Sequence, residues 1–214
     1  MTEHIDFLQL RDFAVSTATR AAELIAARRA ELVAGDGIAA HTSTKSSDVD
    51  PVTEVDTATE EFIATTIRTQ RPGDGIFGEE GANVESTSGV TWIVDPIDGT
   101  VNFLYGVPDF AVSIGAEYQG RLVAGAVVNV ARGRTYAAAA GQGATVTGPD
   151  GKVHPLQCAH TKNPGLALVA TGFGYDAQRR AAQAELLTKL LPQVRDIRRI
   201  GAAALDLCRV AEGT

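Results

Sequence analysis

The sequence has little cysteine and no pattern for export. Only two cysteines occur among its 214 residues, Cys158 and Cys208, and they lie far apart in unrelated contexts. Such a pair is neither a disulfide framework nor a zinc-binding spacing. Residues 1 to 6 lack the basic region and apolar stretch that a signal peptide requires. We therefore expect a cytoplasmic protein without structural disulfides.

The sequence also lacks an excess of positive charge and any long apolar run. Its 19 Lys and Arg against 26 Asp and Glu give a formal charge of -7. Binding of nucleic acid or of an anionic membrane surface depends on excess Lys and Arg, so neither is an expected partner. The hydrophobic share of 44% and charged share of 21% are typical of a soluble globular protein. A small anionic substrate would therefore need cations bound at its site.

Helical patterns occupy the N-terminal part of the chain. Apolar residues recur at helical intervals from about residue 7 to residue 32, and Gly35 then interrupts them. The polar run at residues 41 to 50 predicts a loop. Residues 53 to 56 are a start signal for a second helix, which we expect to reach roughly Thr69.

Short apolar runs bounded by Gly, Pro or Asn follow, and they predict the strands of a meander. These runs are residues 76–77, 91–94, 110–116, 122–130 and 135–140. Turns are expected at Gln119-Gly120, Arg132-Gly133 and residues 147–151. Beyond Pro164, a strand (166–170), a helix (177–191), a strand (197–200) and a helix (202–211) alternate as in layered α/β proteins.

Two aspartates stand three positions apart directly after the apolar run at 91–94. Because Pro96 cannot donate to a sheet, the strand is predicted to end there, with Asp95 and Asp98 in a sharp loop. The carbonyl of Ile97 lies between them as a neutral oxygen donor. A ligand set made only of oxygen suits Mg²⁺.

The following residues add a possible phosphate site. Gly99 allows close backbone approach, and the amides of Gly99 and Thr100 would bind an anion if they open a helical turn. The bare Asp-Pro-x-Asp-Gly pattern fits an ordinary tight turn equally well. The full string from Trp92 to Thr100 favours function.

Other acidic and basic residues are ambiguous on residue type alone. Glu79 and Glu80 stand between glycines, where solvated surface is the common explanation and a third metal carboxylate the alternative. Asp56 fits a helix N-terminus. Lys45 fits an ordinary exposed lysine or a neighbour of phosphate.

Taken together, these residues resemble the inositol monophosphatase family, most closely its bacterial inositol-1-monophosphatase members. Four segments match in the family's order: Lys45 to Ser47 with Asp50 to Asp56, Gly78 to Glu80, Trp92 to Phe103, and Arg199 to Asp206. The resemblance spans nearly the whole chain. It implies an αβαβα layered sandwich of the sugar-phosphatase type, Mg²⁺ as cofactor, a small phosphate monoester as substrate, and a homodimer.

The resemblance also implies roles for individual residues. Glu79, Asp95 and the Ile97 carbonyl would bind a first metal, and Asp95 and Asp98 would contribute to a second. Glu79 and Thr100 would position the attacking water, so that Glu79, Asp95 and Thr100 are the expected catalytic residues.

We call Asp95 to Thr100 the metal loop, after the role that the resemblance implies. Expected substrate contacts combine this loop with a later segment. They are Glu79, Ile97, Asp98, Gly99, Thr100, Gly201, Ala202 and Ala203, the last three on the alcohol side. Lys45, Asp56 and Glu80 are expected near the metals. For Lys45 and Asp56, this expectation from the resemblance replaces the interpretation from residue type alone.

One departure concerns the C-terminus. Family members carry a further aspartate in a Trp-Asp-x-Ala-Ala-Gly motif downstream of the segment that matches residues 210–214, and the sequence stops at Thr214. We expect an N-terminal α+β lobe (1–155) with the metal loop and an incomplete C-terminal α/β lobe (156–214). The second metal site would then have one carboxylate fewer.

The expected reaction is direct, in-line attack of a metal-activated water on phosphorus, with inversion and no phosphoenzyme. The favoured substrate is myo-inositol monophosphate. A sister phosphatase acting on histidinol phosphate, fructose 1,6-bisphosphate or a nucleotide 3′-phosphate is one alternative. A non-catalytic scaffold with the same fold is the other.

Overall fold

A mixed sheet of eight strands organises the N-terminal part of the computed structural model, which describes residues 5–35, 37–44 and 51–214. Its strands are β3 (Gly75–Gly78), β4 (Asn83–Val84), β5 (Val90–Asp98), β6 (Ala111–Tyr118), β7 (Arg121–Asn129), β8 (Arg134–Ala139), β9 (Gly143–Thr147) and β10 (Val153–Pro155). Their order is β10-β9-β8-β7-β6-β5-β3-β4. Only the β3–β5 pair in this sheet is parallel.

Two long helices, α1 (Phe7–Ala34) and α2 (Glu54–Gln70), cover one face of this sheet. Asp6 caps α1, since its carboxylate accepts a hydrogen bond from the Leu8 amide at 2.8 Å. Thr53 and Asp56 form a capping box at the start of α2. Both helices confirm the predicted elements to within about two residues.

The core between helices and sheet is apolar and fully buried. It joins Ile25 of α1 and Ile63 of α2 to Trp92 and Ile114 of the sheet, each at most 1% exposed. Burial of such side chains contributes roughly 1.5–3 kcal/mol each. This packing fixes the sheet on which the candidate site is built.

The polar run at 41 to 50 is not entirely a loop. Ile38–His41 form a 3-10 turn, and β1 (Thr42–Thr44) pairs antiparallel with β2 (Pro51–Thr53). The loop prediction was wrong for Thr42–Thr44, because strands of only three residues are too short to show an alternating apolar pattern in the sequence. Lys45 to Asp50 lie outside the described residues.

Strand β5 does not end at Pro96. Asp95 pairs with Ser113 and Asp98 pairs with Ala111, so Pro96 and Ile97 together oppose a single residue. This is a β-bulge, in which residues leave the ladder and the strand bends. The predicted strand end was wrong because a bulge accommodates the missing N–H of proline without breaking the strand.

The rest of the meander follows the predicted turns. Gln119 and Gly120 have φ of 51° and 78° and connect β6 to β7, and Gly133 has φ of 60° in the β7–β8 turn. Residues 148–152 connect β9 to β10. Strands β4, β9 and β10 were not predicted, since they are short or carry small and polar residues.

The C-terminal part alternates as predicted. Strands β11 (Leu168–Ala170) and β12 (Asp196–Arg198) pair in parallel, with α4 (Ala177–Leu190) between them in the chain. Helix α5 (Ala203–Glu212) packs Leu205 near Ala111, on the sheet face opposite α1. The result is a layered α/β sandwich. Among the residues described, no helix has the length and apolarity needed to cross a membrane.

Candidate active site

The parallel pairing of β3 with β5 places two candidate carboxylates at the same edge of the sheet. Gly78 is the register partner of Val94, and the Glu79 amide donates to the Val94 carbonyl at 3.1 Å. Glu79 and Asp95 therefore follow directly on paired residues. Glu79 and Asp95 lie close together because β3 pairs with β5, and the sequence motifs do not specify that pairing.

Asp98 joins the metal loop to α5. Its two carboxylate oxygens accept hydrogen bonds from the amides of Ala203 (3.1 Å) and Ala204 (2.7 Å). These amides open α5, where the partial positive charge of the helix favours an anion.

The pKa of Asp98 is raised, and burial is the largest cause. Hydrogen bonds from the two α5 amides oppose the shift, and the negative charges of Glu79 and Asp206 add to it. Glu79 and Asp98 thus repel one another through a partly desolvated space. A cation between them would relieve that repulsion.

Thr100 connects the metal loop to α2. Helix α3 (Thr100–Tyr105) begins at this residue, with Gly99 in the left-handed region before it, so the condition set for an anion site at these two amides is met. The Thr100 hydroxyl lies 3.0 Å from the Ile97 carbonyl and 3.2 Å from Asp56 Oδ1. Asp56 also accepts the Thr53 amide at 2.9 Å. It is therefore both a helix-capping residue and a neighbour of the site.

The segment Gly201–Ala203 lies against the metal loop. A Cβ on Gly99 would stand 3.1 Å from Ala202 Cβ and 3.2 Å from the Gly201 carbonyl oxygen. Ala202 is 1% exposed. The structure therefore places the predicted alcohol-side residues beside the loop that carries Asp98 and Gly99.

Asn102 holds the segment that precedes Gly201 close to α3. Its side-chain amide donates to the carbonyls of Asp109 (2.6 Å) and Ile200 (2.9 Å). The sequence motif contains Asn102, but nothing in the sequence indicates that it holds a segment 98 positions away.

Two acidic residues near the site received no role from the sequence. Glu60 on α2 accepts the amides of Glu80 (2.7 Å) and Ala82 (2.8 Å). Asp206 on α5 has a buried Oδ1 without a hydrogen-bond partner among the described residues, and its pKa is raised, chiefly by burial. The position of Glu60, one helical turn after Asp56, is the sequence signal that comes nearest to predicting it.

The donors fit a hard cation by type, since all are carboxylate or carbonyl oxygens. The side chains are neighbours, but they do not converge on one point. Among the described residues, no three Asp, Glu, His or Cys side chains are close enough together to form a metal site. Asp98 is turned to the α5 amides. The Ile97 carbonyl accepts from Thr100 and keeps a second lone pair. Each Asp98 oxygen likewise accepts one amide hydrogen bond and keeps a second lone pair, so Asp98 could bind Mg²⁺ while it remains bonded to α5.

Comparison with known proteins gives a consistent result. The family model described as the inositol monophosphatase family matches residues 6–214. Inositol-1-monophosphatase SuhB of Mycobacterium tuberculosis is 51% identical over 214 residues, covering 96% of this chain and 73% of that protein. Nus factor SuhB of Pseudomonas aeruginosa is 38% identical over 170 residues, covering 77% and 61% respectively.

The fold agrees with a solved structure. Mycobacterium tuberculosis SuhB superposes with a TM-score of 0.82 at 45% identity, covering 98% of this chain and 76% of that one. The match of the family model over almost the entire chain, together with these relatives, shows that the chain belongs to the inositol monophosphatase family.

Proposed function

We propose that this protein hydrolyses a small phosphate monoester in a Mg²⁺-dependent reaction, with myo-inositol monophosphate as the favoured substrate. The observation that carries the proposal is the contact of Asp98 with Ala203 and Ala204. It brings the candidate metal loop, the candidate phosphate amides and the candidate alcohol-side segment to one place. The name of the mycobacterial relative, inositol-1-monophosphatase, supports this substrate.

Glu79, Asp95, the Ile97 carbonyl and Asp98 would hold Mg²⁺. When bound, the ion supplies positive charge that stabilises the phosphoryl oxygens and lowers the pKa of a water molecule. An acidic protein can then accept an anionic substrate.

Thr100 would orient the attacking water. Its hydroxyl proton is directed toward Ile97 O and Asp56 Oδ1, which leaves oxygen lone pairs of Thr100 to accept a hydrogen bond from water. Glu79, which is exposed, would accept the other water proton. Positioned groups of this kind typically contribute about 10²–10⁴-fold to the rate.

The backbone would bind the two ends of the substrate. The amides of Gly99 and Thr100 precede and open α3, where they can donate to phosphate oxygens. Gly201 to Ala203, held by Asn102 and Asp98, would contact the alcohol. Asp56 would hold Thr100 in place through its hydroxyl, and Glu80 would lie near the metal without contacting the substrate.

A phosphate-release assay tests the proposal. The panel would contain inositol 1-phosphate, histidinol phosphate, fructose 1,6-bisphosphate and a nucleotide 3′-phosphate, each with and without Mg²⁺. We expect Mg²⁺-dependent release that is fastest with inositol 1-phosphate. If another monoester is hydrolysed faster, the proposed substrate is wrong but the proposed reaction stands. If no monoester releases phosphate, the proposed reaction itself is wrong.

The cytoplasmic location and the homodimer are part of the same proposal. The two free cysteines support the location, since disulfides are rare in the cytoplasm. Light scattering coupled to gel filtration would measure the oligomeric state.

A further inference from the structure

Glu60 is a buried carboxylate next to the candidate metal loop. It is 4% exposed and lies on α2. Its Oε2 accepts the Glu80 amide at 2.7 Å, and its Oε1 accepts the Ala82 amide at 2.8 Å. Both oxygens therefore bind the backbone immediately after Glu79.

The loop is shaped around this carboxylate. A Cβ on Gly78 would stand 2.5 Å from the Glu60 carboxyl carbon, closer than any real contact. The Gly78 amide donates to the Ala82 carbonyl at 2.8 Å and closes the loop. Glu60 therefore occupies the space that a side chain at Gly78 would need.

Packing alone does not explain a carboxylate at this position. Burying a charge costs free energy, and glutamine would fill the same volume without that cost. Two converging amides, however, need two acceptors, and only a carboxylate presents both oxygens as acceptors. Glutamine would turn its NH₂ group toward one of the two N–H donors.

Helix α2 thus holds both parts of the candidate site. Asp56 and Glu60 lie one turn apart on the same buried face. Asp56 contacts the Thr100 hydroxyl, and Glu60 holds the backbone after Glu79. One rigid helix therefore sets the position of two loops that come from different strands.

We propose that Glu60 is a positioning residue that acts through the 78–82 backbone and keeps Glu79 oriented to bind Mg²⁺. The inference rests on the proposed function, because it concerns the same metal site. It predicts that loss of one Glu60 hydrogen bond weakens Mg²⁺ binding before it affects binding of the monoester.

The test compares Glu60→Gln with the wild-type chain by calorimetric titration of Mg²⁺ in the absence of substrate. We expect the dissociation constant for Mg²⁺ to rise about 10–100-fold, as for other groups that orient metal ligands. In the assay, kcat should fall and recover in part at high Mg²⁺. The KM for the monoester, measured at saturating Mg²⁺, should stay nearly constant.

Asp74→Asn is the matched control. Asp74 is 6% exposed and precedes β3 at its other end, where it accepts hydrogen bonds from Trp92 Nε1 (2.8 Å) and Ser88 Oγ (2.6 Å). Its loss should lower the melting temperature and leave the Mg²⁺ affinity unchanged. If a general loss of stability caused the weaker Mg²⁺ binding, Mg²⁺ affinity would fall in both Glu60→Gln and Asp74→Asn.

Gly78→Ala is the second variant, because its Cβ displaces the Glu60 carboxylate without removing it. It should lower Mg²⁺ affinity as Glu60→Gln does. Unchanged affinity in either folded variant overturns the inference, and so does failure of both to fold. A wild-type chain that binds no Mg²⁺ overturns the proposed function as well.

Discussion

Gly99→Ala is expected to destabilise the protein by about 2–5 kcal/mol and to lower Mg²⁺-dependent turnover. Gly99 has φ of 92°, a conformation that costs an alanine roughly 1–2 kcal/mol. A Cβ there would also stand 3.0 Å from the Asp109 carbonyl oxygen, 3.1 Å from Ala202 Cβ and 3.2 Å from the Gly201 carbonyl oxygen. Overpacking of this kind typically costs about 1–3 kcal/mol more.

The loss of turnover follows from the direction of the displacement. Moving Gly201 and Ala202 away from Gly99 also moves Ala203, whose amide Asp98 accepts. The metal loop and the alcohol-side segment would then separate. Fold and activity should therefore weaken together in this variant.

Gly120→Ala separates strain from crowding. Gly120 has φ of 78° in the β6–β7 turn, and a Cβ there would meet no atom within 4 Å. It should lose only the strain, roughly 1–2 kcal/mol. Urea unfolding of both variants measures the difference. Equal losses, within about 0.5 kcal/mol, would refute the crowding argument.

Three further variants or reagents test the remaining assignments. Asp95→Asn should abolish Mg²⁺-dependent phosphate release and leave the free energy of unfolding unchanged or higher, because repulsion between loop carboxylates is relieved; turnover near that of the wild type would remove Asp95 from the metal site. Thr100→Ala should lower kcat about 10²–10⁴-fold with little change in KM, and a raised KM at constant kcat would contradict its water-orienting role. Burial raises the pKa of Cys208 to about 12, so at pH 8 a thiol reagent should label exposed Cys158 in the folded protein and Cys208 only after unfolding; equally fast labelling of both would contradict this.

The sequence alone predicted the elements whose signals are local. Helices α1 and α2 follow from apolar periodicity and from Thr53 as a cap, and the hairpin turn at Gln119-Gly120 follows from its residues. The composition of the candidate site was also readable, because Asp95 to Thr100 form one continuous string. Neighbouring residues generate these signals, so no tertiary contact is needed to detect them.

Tertiary structure decided how these residues meet. The bulge at Pro96 exists because β6 continues to pair with β5 beyond it, at Asp98. Asp98 contacts Ala204 across 106 positions of sequence, and Glu60 reaches the Glu80 amide across 20. Hydrogen bonds between segments so far apart leave no period or motif in the chain. The sequence therefore determined which groups are present, and the packing of α2, the sheet and α5 determined which of them touch.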